Sequence, residues 1–474
     1  MKYNRRNFLK IAGASSLSAM SSCNLKVGSS TATKTNLDHI KKESEKNYSQ
    51  IFNMSGYSAP KLDKVRVGFI GIGGRGIGAV RRLSLIEGVE IKGLCDISKE
   101  KAEAAKESIE SQGHSPKIFS GSEDVWMEMC RHEEFDLIYI TTPWSLHAPM
   151  GIYAMEQGKH AATEIPAATN LEDCWKLVRT SERTKKHFVM LENCCYDFFE
   201  LLTLNLTRQG FFGDIVHCEG AYIHTLAEDL FLRGKTGVPW RLEENMSRNG
   251  NLYPTHGLGP IAQIMNINRG NRMDYLVSTS TNDFMMNDMA KSGSKELFQK
   301  YMDSSFRGNM NTTTIRTVLG QTLMVQHDVT SPRPYSRIHL VSGTKGIAQK
   351  YPLPARIATS HTGWLSEEEV RKLEDEYNPP IVKKMSELAK KIGGHGGMDF
   401  LMDWRLIDCL RNGLPVDMDV YDAATWSAVG PLSEWSVANR SAPINIPDFT
   451  SGSWEENVPH DITLSKGGTT GVRI

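Results

Sequence analysis

Val65-Arg66-Val67-Gly68-Phe69-Ile70-Gly71-Ile72-Gly73-Gly74-Arg75-Gly76 is the stretch that decides how this chain is read. Its first six residues are β-rich and apolar at most positions, as a strand buried on both faces requires. Gly71, Gly73 and Gly76 then spell G-x-G-x-x-G, and a helical segment follows to about Ile86. The first glycine permits a tight turn, the second lets a pyrophosphate approach the backbone, and the third lets helix and strand pack closely. The helix N-terminus adds partial positive charge for the phosphates. A second β-like run, 89–95, ends at Asp96, twenty residues after Gly76. A carboxylate there accepts hydrogen bonds from the adenosine ribose and repels a 2′-phosphate, which selects NAD over NADP. The plain alternative, a glycine turn and a solvated aspartate, lacks the strand–loop–helix–strand context.

Outward from this core the alternation continues. β-like runs at 136–143, 160–166 and 188–193 are separated by helical segments at 147–157 and 171–186. Such repetition predicts an α/β fold whose N-terminal part is a doubly wound parallel sheet of Rossmann type. Ligands collect at the carboxyl ends of such strands, here residues 142–147, 164–166 and 192–193. After Gly213 the texture changes to β-like runs at 215–224, 274–279, 312–319, 322–329, 337–341 and 346–351. Helical segments return at 367–377, 380–391, 398–411 and 420–438. This predicts an α+β domain over 196–474, with an open, largely antiparallel sheet and C-terminal helices packing back on the NAD domain at 61–195.

The remaining features set limits. Lys+Arg and Asp+Glu each total 55, so the chain lacks the basic surplus that nucleic-acid binding needs. Asn4-Arg5-Arg6-Asn7-Phe8-Leu9-Lys10, then a mildly apolar run to Met20, reads as a twin-arginine export signal over 1–23. The apolar run is too short to span a bilayer. Small residues before Cys23 suggest a lipoprotein box, the only membrane link expected. The protein is therefore expected in the periplasm or lipid-anchored at a bacterial envelope. Residues 24–60, without an apolar period, read as a partly disordered linker. The eight cysteines contain no C-x-x-C pair and suit neither zinc nor a disulfide framework. His395 and Asp399, four apart with glycines between, read as a cap and turn, and no metal site is expected.

The order of domains, with an E-x-P strand end, resembles the Gfo/Idh/MocA oxidoreductases, which usually carry Glu-Lys-Pro. Here the triplet is Glu164-Ile165-Pro166, so the lysine is absent. A closer resemblance, over nearly all of the chain after residue 60, is to glycoside hydrolase family 109, the NAD-dependent α-N-acetylgalactosaminidases. It rests on Gly73-Gly74-Arg75-Gly76, Thr142-Pro143-Trp144-Ser145-Leu146-His147, Glu164-Ile165-Pro166-Ala167-Ala168 and Glu192-Asn193-Cys194-Cys195-Tyr196. Gly250-Asn251-Leu252-Tyr253-Pro254-Thr255-His256-Gly257, Pro334-Tyr335-Ser336-Arg337 and Gly394-His395-Gly396-Gly397-Met398-Asp399 complete it.

The resemblance implies that Gly74, Arg75, Asp96, Trp144, Ser145, Leu146, His147, Glu164, Ile165 and Asn193 contact NAD, beside Gly71, Gly73 and Gly76 of the loop. Tyr222, Arg241, Tyr253, Pro254, Thr255, His256 and Tyr335 would surround the sugar. The implied reaction oxidises the terminal sugar at C3, eliminates the aglycone after loss of the C2 proton, adds water and returns the hydride. His256 is the first choice for proton exchange at the oxidised carbon, with Tyr196 or Tyr253 for the C2 proton. Two alternatives stay open: an NAD-dependent sugar or cyclitol dehydrogenase, and a non-catalytic sugar-binding protein. A homodimer through the open sheet is also expected.

Overall fold

The computed structural model describes residues 34–232, 239–293, 296–462 and 464–473. The export signal and Cys23 lie outside the described residues.

Six strands form a wholly parallel sheet: β1 (Val65–Ile70), β2 (Val89–Cys95), β3 (Lys117–Phe119), β4 (Leu137–Ile140), β5 (His160–Thr163) and β6 (Phe188–Met190). Their order is β3-β2-β1-β4-β5-β6. Every residue of β4, β5 and β6 is buried, because helices cover both faces. Strand order reverses beside β1, and that crevice is where such sheets take their ligands. β3 has only three residues, too few for an apolar pattern to announce it.

The second sheet has eight strands in the order β13-β12-β11-β7-β10-β9-β8-β14. They are β7 (Ile215–Ile223), β8 (Met273–Ser280), β9 (Asn311–Thr317), β10 (Thr322–Asp328), β11 (Leu340–Gly343), β12 (Ile347–Gln349), β13 (Arg356–Ala358) and β14 (Ile444–Asn445). All neighbours are antiparallel except β7 and β10, so the sheet is largely antiparallel. In β9 the buried residues alternate strictly with outward ones, the pattern of a sheet covered on one face. The run expected at 337–341 starts later, because Ile338 and His339 take positive φ and turn the chain before β11.

The late helices join the two sheets. Met398–Asn412 lies against Gly74–Ser84, the helix that leaves the glycine loop. Val420–Ala438 lies against the helix Leu171–Thr184 and also against β8. It is buried almost all round, as a helix between two layers must be. An Asp419/Asp422 capping box starts it. Among the described residues no helix is long and apolar enough to cross a membrane.

The stretch 34–60, expected as part of a disordered linker, is instead ordered on the body of the protein. It opens with the helix Lys34–Ser44, and Ile40, Met54 and Ala59 are buried. Gln50 Nε2 donates to the Tyr421 hydroxyl at 2.9 Å and to Ser453 Oγ at 3.0 Å. The Ile51 N–H donates to Glu182 at 2.8 Å. Its polar residues are satisfied by partners far away in sequence, which a search for local apolar period does not detect.

Candidate active site

At the carboxyl end of β1, Gly71 has φ +88°, the left-handed region that glycine adopts without cost. A Cβ on Gly76 would overlap the Gly71 carbonyl oxygen, so the third glycine of the motif is sterically required. By contrast, a Cβ on Gly73 or Gly74 would meet nothing within 4 Å. That open side is the cradle a pyrophosphate needs. No side chain caps the following helix at Gly73, leaving its first N–H groups for phosphate oxygens. Asp96 stands at the end of β2 and accepts the N–H of Ile72 at 2.6 Å and of Ser98 at 2.8 Å. These residues fit NAD.

Arg75 leaves this loop toward two carboxylates. Its Nη2 lies 2.8 Å from Glu164, just past β5, and its Nη1 donates to Asp399 at 2.8 Å. Asp399 also takes hydrogen bonds from Asn193 Nδ2 at 2.5 Å and pairs with His395 at 2.9 Å. Burial pushes the Asp399 carboxyl up. The His395 hydrogen bond and the guanidinium groups of Arg75 and Arg82 outweigh that and hold it well below the usual carboxylate range. The expected cap and turn at His395 and Asp399 is therefore an ion cluster that joins the second domain to the cofactor loop.

The helix Trp144–Glu156 supplies the next wall. Trp144 is buried, whereas Ser145 and Leu146 are exposed at its first turn. His147 is buried, with Nδ1 2.8 Å from the Pro166 carbonyl and Nε2 2.8 Å from that of Thr142. The ring is thus held between the two rim loops, donating its one N–H to a carbonyl of either. Ile165 packs in the core, so at the position of the absent lysine the rim offers backbone only.

Opposite this rim lies an aromatic floor. Trp144 stacks on Tyr253 with centroids 5.4 Å apart, and Arg241 lies 5.5 Å over Trp144 and 5.6 Å over Tyr253. Tyr222 touches Tyr253 at 4.8 Å and His256 at 5.1 Å, and its hydroxyl pairs with His224 Nδ1 at 2.9 Å. Tyr335 meets Tyr222 edge-on at 6.4 Å and is 39% exposed, so it forms the outer lip. His256 sits in the first turn of the helix Thr255–Ile264. Those small residues allow close packing: a Cβ on Gly257 would overlap the Ala221 backbone, and one on Gly220 would overlap Gly257. The His256 helix thus lies backbone to backbone on the strand bearing Tyr222. From 251 to 260 only His256 is not buried, while Pro254 and Thr255 are.

The expected sugar-facing residues are thus gathered in or beside one ring cluster. Tyr196 is not among them. Its hydroxyl donates to Asp417 at 2.9 Å in the core, and burial pushes the phenol well above its ordinary value. Burial also raises Tyr253, although Arg241 works against it. Both phenols are therefore held protonated, against the expectation of a base at C2. Sequence reading missed Glu192 and Asp399. Glu192 was visible only as a strand end, and Asp399 finds Arg75 324 residues away. The seven described cysteines are buried and unpaired, as small apolar residues.

Comparison with known proteins agrees with this architecture. Residues 65–192 match the family model described as oxidoreductase family, NAD-binding Rossmann fold, and residues 196–456 match glycosyl hydrolase 109, C-terminal domain. A glycosyl hydrolase family 109 protein of Porphyromonas gingivalis is 48% identical over 413 residues, covering 84% of this chain and 87% of that one. An alpha-N-acetylgalactosaminidase of Bacteroides fragilis is 47% identical over 410 residues, covering 85% and 95%. Among solved structures, a levoglucosan dehydrogenase in complex with NADH and levoglucosan aligns with TM-score 0.61 at 16% identity, covering 81% of this chain and 100% of that one. The scyllo-inositol dehydrogenase of Lactobacillus casei aligns with TM-score 0.56 at 13% identity, covering 81% and 99%. At those identities the likeness is one of fold. Matched along both domains, with an NAD cradle at one strand end and an aromatic floor packed on the rim beside it, the chain belongs to glycoside hydrolase family 109, and is an NAD-dependent glycosidase.

Proposed function

We propose that this glycosidase removes terminal α-linked N-acetylgalactosamine from glycans by a cycle that oxidises and then restores the sugar. The observation that carries the reading is the ring cluster of Tyr222, Tyr253 and His256 packed on Trp144 of the cofactor rim, in a chain 47% identical to an alpha-N-acetylgalactosaminidase. NAD⁺, when bound, would supply a hydride acceptor for C3 of the sugar; the ketone so formed would acidify the C2 proton and let the aglycone leave by elimination, and water addition and return of the hydride would close the cycle with no net redox change. Such families are exceptions to hydrolysis by two flanking carboxylates.

The chain's own groups divide the remaining work. The backbone of Gly73, Gly74 and Arg75 would hold the pyrophosphate, Asp96 the adenosine ribose, and Glu164 and Asn193 the nicotinamide side. Trp144 and Tyr253 give the sugar ring an apolar wall. Arg241, held over both rings, hydrogen-bonds sugar or acetamido oxygens. His256 takes the C3 hydroxyl proton during oxidation and returns it afterward. Tyr253, kept protonated, donates to a sugar oxygen.

Incubation with p-nitrophenyl α-N-acetylgalactosaminide, with no NAD added to purified holoenzyme, should release nitrophenol over many turnovers. Sugar-dependent NADH formed stoichiometrically without cleavage would overturn the reading and leave a net dehydrogenase. Absence of bound NAD and of both activities would leave a sugar-binding protein. Export belongs to the same proposal, supported by Arg5-Arg6 and the short apolar run after them. The mass of the mature N-terminus checks it, and a lipid on Cys23 would add the anchor.

A further inference from the structure

Glu192 follows β6, beneath the helix that carries His256. Its side chain is fully buried, and Oε1 lies 2.7 Å from His256 Nδ1. The same oxygen accepts the Cys194 N–H at 3.0 Å, which fixes the carboxylate to its own backbone. Gly259, one turn along the His256 helix, makes room for it: a Cβ there would come within 2.9 Å of Glu192 Cγ. No described residue makes a hydrogen bond to His256 Nε2, and the imidazole is 15% exposed.

We infer that Glu192 is the positioning residue for proton exchange at His256. The carboxylate keeps a hydrogen on Nδ1, so the Nε2 lone pair faces the sugar hydroxyl, and it stabilises the imidazolium once the proton arrives. This rests on the reading of His256 as the group that exchanges the C3 hydroxyl proton.

The other groups around the ring do not compete for that role. Tyr222 and Tyr253 meet it through their rings, and Cys194 lies within 4.8 Å. Burial raises the Tyr253 phenol and the Cys194 thiol, so both stay neutral. His327, stacked behind the two tyrosines, is also held neutral, by burial and by Arg307. Arg241 lies over Tyr253 and carries the opposite charge. Among the described residues Glu192 is therefore the only carboxylate touching the ring. Burial pushes its carboxyl up, but the imidazole's charge and hydrogen bond outweigh that and hold it below the ordinary carboxylate value.

Glu192→Gln keeps shape and the acceptor for Cys194. In the holoenzyme it should leave bound NAD and KM unchanged while lowering kcat about 100-fold, the low end of what a positioned acid–base group contributes. Glu192→Asp should recover part of the kcat loss. A fall in thermal stability with kcat unmoved, or a loss of bound NAD and a rise in KM alongside kcat, would reduce Glu192 to a structural role and overturn the proposal.

A second measurement does not depend on turnover. In ¹⁵N-histidine spectra of the wild-type holoenzyme, neutral His256 should carry its hydrogen on Nδ1. A hydrogen on Nε2 would overturn the proposal whatever the activity. If the wild-type enzyme cleaves no aminosugar, the function proposed above fails, and these spectra still decide the role of Glu192.

Discussion

The cofactor loop and the aromatic floor are held together by different means. On the cofactor side Arg75, Glu164, Asn193, Asp399 and His395 are joined by ion pairs and charge-assisted hydrogen bonds drawn from separate parts of the chain. On the sugar side a helix and a strand meet through glycine backbone, and rings close the remaining space. Charge pairs answer to pH, salt and ligand charge, whereas backbone contact answers only to shape. The cofactor side can therefore rearrange around an anion, while the floor keeps its geometry.

Substitutions on each side separate these two modes. The largest effect is expected for His256→Ala, which should lower kcat about a thousandfold, in the range of general acid–base catalysis, with NAD retained. Loss of NAD on purification of this variant would show that the floor also supports the cofactor and would break the division. Next, Gly257→Ala places a methyl against the Ala221 backbone and should cost about 3 kcal/mol of stability, the upper range for overpacking. Urea denaturation measures it, and an unchanged midpoint would show that the helix can shift without cost. The smallest effect is expected for Asp399→Asn, which should speed NAD release about tenfold, the scale of one charge-assisted bond.

The last variant has a second signature. Because the native Asp399 carboxyl is held below its unfolded value, its stabilising effect is complete above that value, about pH 4, and is lost as pH falls through the native value. Asp399→Asn should accordingly flatten the acid side of the stability profile. An unaltered acid side would mean that the cluster does not stabilise the fold.

The cofactor motif was legible because its whole logic is local: strand, three glycines and Asp96 lie within 32 residues, from Val65 to Asp96. The partner of Arg75 was not, because Asp399 belongs to a distant helix start that taken alone resembles a capped turn. His256 was legible as a residue but not in its setting. Its helix is one that glycine and proline do not favour, yet here Gly257 and Gly259 are what permits the helix to lie on β7 and over Glu192. Tyr196 shows the reverse error: three residues beyond rim residue Asn193, it points into the core toward Asp417. Residues 34–60 lack an apolar period because their order comes from partners such as Tyr421 and Glu182.

The glycine contact between Gly220 and Gly257 also bears on how this enzyme could be altered. A joint with no side chain at its centre cannot be tuned by small steps, since every replacement adds volume where there is none. Selection for a different sugar has more freedom at the lip, where Tyr335 is exposed and Trp240 and Arg241 are partly so. Libraries that vary those three positions and leave the joint intact are the route to new specificities on this scaffold.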